Sequence, residues 1–181
     1  MNKQIVVAVV LAVLLVASAY AQTKDFFELV RHGTPQDVQA AIDNGADVNA
    51  RDTRGWTPLI NAALFNQNPE VITTLLKAGA DLKAEDTHHG GTALLWAAWD
   101  NLNPEVVTTL LKAGADIEAR NTALLWAAGN NQNLEVVTTL LEAGADVNAQ
   151  NKSGATALMY AAAYNQNPEV ITTLLKAGAD I

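Results

Sequence analysis

The densest group of potential ligands in the chain is Glu85-Asp86-Thr87-His88-His89, two carboxylates and two imidazoles within five residues. Such groups can hold a divalent cation, but a metal site needs a fixed number of ligands in fixed geometry. No second half is evident, since His32 is the only other histidine. The cluster is therefore read as a solvated loop, and no metal is expected. With no cysteine, disulfides, thiolate centres, a cysteine nucleophile and a lipidated cysteine anchor are excluded. Ser18 and Ser153 are the only serines, and no glycine-rich phosphate loop follows a strand-like run. The pairs Thr73-Thr74, Thr108-Thr109, Thr138-Thr139 and Thr172-Thr173 recur identically, which marks architecture and not chemistry. The expectation is a chain without catalysis or cofactor. What remains is recognition, for which exposed aromatics are the natural anchors, and the four tryptophans are Trp56, Trp96, Trp99 and Trp126.

The elements that carry these residues are repeats. Gly-Ala-Asp recurs at Gly45, Gly79, Gly114, Gly144 and Gly178, at intervals of 34, 35, 30 and 34 residues, the range of solenoid units. A second block precedes four of these glycines: Thr57-Pro58-Leu59 with Ala62-Ala63, Thr92-Ala93-Leu94 with Ala97-Ala98, Thr122-Ala123-Leu124 with Ala127-Ala128, and Thr156-Ala157-Leu158 with Ala161-Ala162. Thr57 suits a helix N-cap and Pro58 the first helical position, where a missing N–H costs nothing. Asn68-Pro69-Glu70 restarts a helix in which Val71, Ile72, Leu75 and Leu76 form one apolar stripe. Lys77 complements its carboxyl end and Gly79 supplies a left-handed stop. Each unit predicts helix, turn, helix and polar loop, and none can bury its stripe alone.

Thr57-Pro58-Leu59, the Ala-Ala pairs, Glu-Val before Leu-Leu, and Gly-Ala-Asp-Val-Asn-Ala at 45–50 and 144–149 resemble the ankyrin repeat over nearly all of residues 22–181. The resemblance implies an all-α solenoid of about five helix-turn-helix units, with short β-hairpin or loop fingers and a concave face that binds other proteins. The approximate units are an N-terminal cap at 22–54, then 55–88, 89–119, 120–153 and 154–181. In the cap, Asp25, Glu28 and Arg31 interrupt the apolar face, as a solvent-facing end requires. Aligned by unit, Asn61, Trp96, Trp126 and Tyr160 form one column, read chiefly as packing between first helices, with partner contact as the alternative. Leu64 and Trp99 fall in a second column, and Phe65, Asp100 and Tyr164 in a third. In the family's geometry these two columns and Trp56 face the groove, so Trp56, Phe65, Trp99 and Tyr164 are the preferred contact residues.

Three departures stand out. Where the family often has a histidine after Thr-Pro-Leu, this chain has Ile60, Leu95, Leu125 and Met159, so contacts between units should rest more on packing than on hydrogen bonds. Only Arg120 and Asn121 separate Ala119 from Thr122, four residues too few for a finger, which predicts a notch and weakened stacking there. Finally, Asn165 to Asp180 repeats Asn66 to Asp81 without polar adaptation. Either the array continues or another surface covers Val170, Ile171, Leu174 and Leu175, with self-association through this end as one outcome.

Residues 1–21 read as a cleavable leader: Lys3, an apolar run from Ile5 to Val16, and small Ala19 and Ala21, with cleavage between Ala21 and Gln22. The run is shorter than the roughly 20 residues of a membrane span, so the processed chain is expected to be exported, periplasmic or secreted, and off the membrane. The formal charge of −8 over the full chain disfavours nucleic acid and suits a protein partner with a basic patch.

Overall fold

The computed structural model describes residues 26–181. The leader with its Ala21/Gln22 cleavage, and Asp25 of the cap, lie outside the described residues. The helices are α1 (26–32), α2 (Pro35–Asp43), α3 (Pro58–Phe65), α4 (Pro69–Lys77), α5 (Ala93–Asp100), α6 (Pro104–Lys112), α7 (Ile117–Asn130), α8 (Leu134–Glu142), α9 (Ala157–Tyr164) and α10 (Pro168–Lys176). First helices α3, α5, α7 and α9 pack on one another in one layer, and second helices α2, α4, α6, α8 and α10 in another. The core is the seam between the layers, an arrangement in which each unit leans only on its neighbours.

Local chemistry sets the boundaries. Thr57 Oγ1 accepts from the Ile60 N–H at the start of α3, and Thr156 does the same for Met159 at α9. Asn68, Asn103, Asn133 and Asn167 each cap a second helix through the N–H two residues on. In the cap, Thr34 and Asp37 form a reciprocal capping box that opens α2. Gly79 stops α4 at φ +92°, a conformation that costs a residue with a Cβ about 1 kcal/mol or more. The second-helix stripe is inward: Val71, Ile72 and Leu75, with Val106, Val107 and Leu110, and Val136, Val137 and Leu140, are wholly buried. Val170 and Leu174 of α10 are also fully buried against α8 and α9, so the expectation that another surface must cover them is corrected. Ile171 is half-buried, and Met159, Tyr164, Leu175 and Ile181 are exposed at that end.

Hydrogen bonds between units are systematic, although contacts there were expected to rest more on packing than on hydrogen bonds. Asn66 donates through Nδ2 to the Val30 and Gly33 carbonyls, both at 3.1 Å. Asn101 donates to Ala63 at 2.8 Å and Asn66 at 3.0 Å, and Asn131 to Ala98 at 3.0 Å and Asn101 at 3.1 Å. Asn165 donates to Ala128 at 2.9 Å and Asn131 at 3.1 Å. Each Oδ1 meanwhile accepts from the N–H of the next cap residue, Asn68, Asn103, Asn133 or Asn167. Every carboxamide is thus fully used, across the helix-to-helix turn of its own unit and onto the unit before. Residues Ile60, Leu95 and Leu125 at the histidine positions are buried as core.

The fingers are turns, and among the described residues no strand forms. They close through Asp52 N–H to Trp56 O at 3.0 Å, Asp86 N–H to Gly91 O at 3.0 Å and Asn151 N–H to Ala155 O at 3.1 Å. In the fourth unit there is no finger. At three other Gly-Ala-Asp turns the Asp accepts from the N–H two residues on, as Asp47, Asp81 and Asp146 do. Here Asp116 instead accepts from Ala119 N–H at 2.8 Å and caps α7, which runs straight through Arg120, Asn121 and Thr122. The predicted weakening of the stack is corrected: Arg120 Nη1 donates to the Ala143 carbonyl at 2.8 Å, and Asn121 Oδ1 accepts from Asp146 N–H at 2.8 Å. The helical extension supplies from side chains the links that a loop residue such as Asn49 makes elsewhere through Gly79 O and Asp81 N–H.

Candidate recognition surface

Helical spacing places the aromatic residues of the first-helix layer in one continuous row. Ring centroids step from Phe65 to Trp56 at 6.3 Å, Trp56 to Trp96 at 4.6 Å and Trp96 to Trp99 at 5.3 Å. The row continues from Trp99 to Trp126 at 4.6 Å, Trp126 to Tyr160 at 6.4 Å and Tyr160 to Tyr164 at 5.8 Å. Trp99 is nearly parallel to both Trp96 and Trp126, at 14° and 17°. Neighbouring rings of this kind contribute about 0.5–1.5 kcal/mol per pair beyond the area they bury. The row therefore stabilises the stack as well as offering a surface.

The expected contact residues divide accordingly. Trp56 is only 7% exposed, sandwiched between Trp96 and the Arg54 guanidinium 4.0 Å over its ring, so its assignment as a groove contact is corrected to packing. Trp96 is also 7% exposed, in keeping with the packing reading, whereas Trp126 and Tyr160 of the same column are half-buried. Leu64 and Trp99 are half-buried against the core, so neither stands free as an anchor. The accessible members are Phe65 at 39%, Tyr164 at 67% and the carboxylate of Asp100. Arg31, expected to face solvent, instead lies 5.5 Å over the Phe65 ring, donates to Asn61 Oδ1 at 2.8 Å and stands 3.6 Å from Asp52.

The residues that hold the polar rim were not singled out from the sequence. Asp86, read as part of a solvated loop, has a fully buried side chain. Oδ1 accepts from the His88 and His89 N–H groups at 2.8 and 2.7 Å. Oδ2 accepts from Gly91 N–H at 2.8 Å and from the Trp96 indole N–H at 3.1 Å. Burial alone would raise its pKa, but these hydrogen bonds outweigh it and hold the carboxyl below the ordinary value. Asp52 is lowered likewise: burial opposes, and the Trp56 and Arg54 N–H groups and the Arg54 guanidinium prevail. A Cβ at Gly91 would lie 2.6 Å from Trp96 Nε1 and 2.9 Å from Asp86 Oδ2, so the Asp86–Trp96 bond requires glycine there. The histidines flank this arrangement, with His89 edge-on to Trp96 at 5.7 Å. Among the described residues no three histidine or carboxylate side chains come together to hold a metal ion.

The finger of the fifth unit repeats the plan with different atoms. Asn151 Oδ1 accepts from Ser153 and Ala155 N–H, and Nδ2 donates to the Tyr160 hydroxyl at 3.1 Å. An indole offers only a donor and so needs a carboxylate, whereas a phenol oxygen can accept from a carboxamide. The pairing Asp86–Trp96 against Asn151–Tyr160 is the signal in the sequence that relates finger to helix. The four tryptophans, three of them in units with adjoining columns, mask it.

Comparison with known proteins follows the same outline. A model of the family described as Ankyrin repeats (3 copies) matches residues 26–121 and 118–181. The chain is similar to a mitochondrial disaggregase of Bos taurus, 43% identical over 76 residues, and to one of Homo sapiens, 52% identical over 76 residues. In both, the match is 39% of this chain and 11% of the relative. An ankyrin repeat protein of Fowlpox virus (strain NVSL) is 39% identical over 56 residues, 31% of this chain and 11% of its own length. The match thus spans about a tenth of the curated relatives' length.

Proposed function

We propose, from the premise that this chain belongs to the ankyrin-repeat family, that it is a non-catalytic module docking a protein partner on its first-helix face. The observation that carries the reading is the aromatic row from Phe65 to Tyr164, which crosses four units and is open to solvent at its two ends, Phe65 at 39% and Tyr164 at 67%. Aromatic side chains with one accessible edge and a packed base make low-entropy anchors. The row is set on helices that pack directly on one another, so recognition needs no rearrangement of the scaffold. The disaggregase relatives match over 76 residues, 11% of their own length, and their named activity is not carried over.

We propose further that the chain is exported, on the strength of the leader-like residues 1–21. Mass spectrometry of the processed protein should find Gln22 at its amino terminus, and an intact Met1 in a membrane fraction would refute cleavage. Docking is tested by placing a photocrosslinking residue at Tyr164 or Phe65, with Lys112 on the second-helix layer as control. A discrete crosslinked partner from the first two positions and none from Lys112 is expected. Equal capture from all three would reject the assigned face.

A second reading, self-association, is favoured by exposed Met159, at 58%, and Leu175 on the last helix pair. Sedimentation of Met159→Ser separates it: association that disappears in this variant supports it, and a concentration-independent monomer removes it.

A further inference from the structure

The aromatic row is not uniform in what covers it. At its first end the chain lays its own cations on the rings: Arg54 lies 4.0 Å over Trp56 and Arg31 5.5 Å over Phe65. Each guanidinium is steadied by carboxylates. Arg54 bonds Asp52 through Nη2 at 3.1 Å and Nε at 3.3 Å, and Arg31 bonds Glu28 at 2.8 Å and stands 3.6 Å from Asp52. The local unit of this end is therefore ring, guanidinium and carboxylate, built twice.

The other end has two of the three parts. Trp99, Trp126 and Tyr160 provide half-buried rings and Tyr164 an exposed one, and Asp100 provides an exposed carboxylate next to Trp99 in the chain, in the column of Phe65 and Tyr164. The helical residues 93–100, 122–130 and 157–164 contain no lysine or arginine, and Asp100 is their only charge. Among the described residues no cation other than Arg31 and Arg54 lies over an aromatic ring. Arg120, the nearest arginine in the chain, is tied to the Ala115 and Ala143 carbonyls. The whole chain carries a formal −8.

Resting on the docking reading above, we infer that the partner contributes the missing cation: an extended peptide segment whose arginine side chains seat on the Trp126–Tyr160–Tyr164 stretch and pair with Asp100. Arginine is specified over lysine because a planar guanidinium can stack on a ring while donating in its plane to a carboxylate, as Arg54 does between Trp56 and Asp52. A nucleic acid is disfavoured by the charge, and a neutral apolar segment would leave Asp100 unpaired.

The test titrates the full chain with a synthetic peptide of alternating arginine and glycine, read by tryptophan emission and calorimetry. The same peptide with citrulline for arginine, of equal shape and no charge, and one with lysine are run beside it. Saturable binding is expected with arginine, weakened about tenfold by citrulline and severalfold by lysine. Asp100→Asn and Tyr164→Leu, both at exposed positions and checked for unchanged circular dichroism, should each weaken binding about fivefold. Equal binding of the arginine and citrulline peptides, indifference to both substitutions, lysine equal to arginine, or no binding at all would overturn the inference. Its failure is distinguishable from failure of the docking reading. Specific crosslinks from Tyr164 without arginine-peptide binding would leave the face assigned and its chemistry wrong.

Discussion

At the scale of single residues, the exchange of donors and acceptors between finger and helix makes the sharpest prediction. Asp86→Asn replaces one accepting oxygen with a donor, facing either two backbone N–H groups or the Trp96 indole and Gly91 N–H. The loss should be about 2 kcal/mol in urea unfolding, the cost of leaving buried polar groups unmatched. Adding Trp96→Tyr recreates the Asn151–Tyr160 pairing, and the double variant should recover part of that loss; no recovery would show that the two pairs are unrelated. Acid sensitivity follows from the same residue. Asp52 and Asp86 have folded pKa values below their unfolded ones, near 4. Their stabilisation is therefore complete above that value and is lost as pH falls through the folded pKa. The urea midpoint should be level from neutral pH to about 5 and decline below about 4, with a shallower decline in Asp86→Asn. A midpoint that falls equally in both proteins would remove Asp86 from the account.

At the scale of elements, the asparagine ladder governs the stack. Asn131→Ala strands the Ala98 and Asn101 carbonyls and frees the Asn133 N–H. A cost of about 3 kcal/mol is expected, against less for half-buried Asn165→Ala, measured by urea titration. Equal costs would mean that burial plays no part. The helices themselves were legible in the sequence, because their signals are local: Thr57 before Pro58, Asn68 before Pro69-Glu70, glycine at the stop. The ladder was not, although Asn66, Asn101, Asn131 and Asn165 recur in register, because the carbonyls they reach lie 30 or more residues back. Asn suits a tight turn on its own, so its recurrence there does not by itself signal a bond to the unit before. The fourth unit shows the same limit. The deletion was visible, but not that Asp116 would change from turn residue to helix cap and carry Arg120 into bonding distance of Ala143. The burial of Trp56 was not legible because it comes from Trp96 forty residues on, and that of Asp86 because a turn folds His88, His89, Gly91 and Trp96 around a residue whose type suits solvent. Inserting a four-residue finger after Ala119 should shorten α7 and detach Arg120 from Ala143, seen as loss of helical signal; unchanged helicity would contradict the cap assignment of Asp116.

At the scale of the whole molecule, coupling is between nearest neighbours, so stability is distributed along a line. Weakening one junction should uncouple what lies on either side. In Asn101→Ala, unfolding followed by tryptophan emission, which reports units two to four, should separate from that followed by far-ultraviolet circular dichroism. Coincident curves would indicate that the remaining junctions hold the array together unaided. The ladder also bears on heredity. Because each carboxamide reaches back by one unit and no farther, an unequal crossover between matching codons of two units adds or removes a complete module without orphaning any donor. Copying of that kind would leave identical stretches, and Asn66–Asp81 and Asn165–Asp180 are identical. The fourth module is the exception, since Arg120 and Asn121 replace a loop and must be inherited together with the helix that presents them.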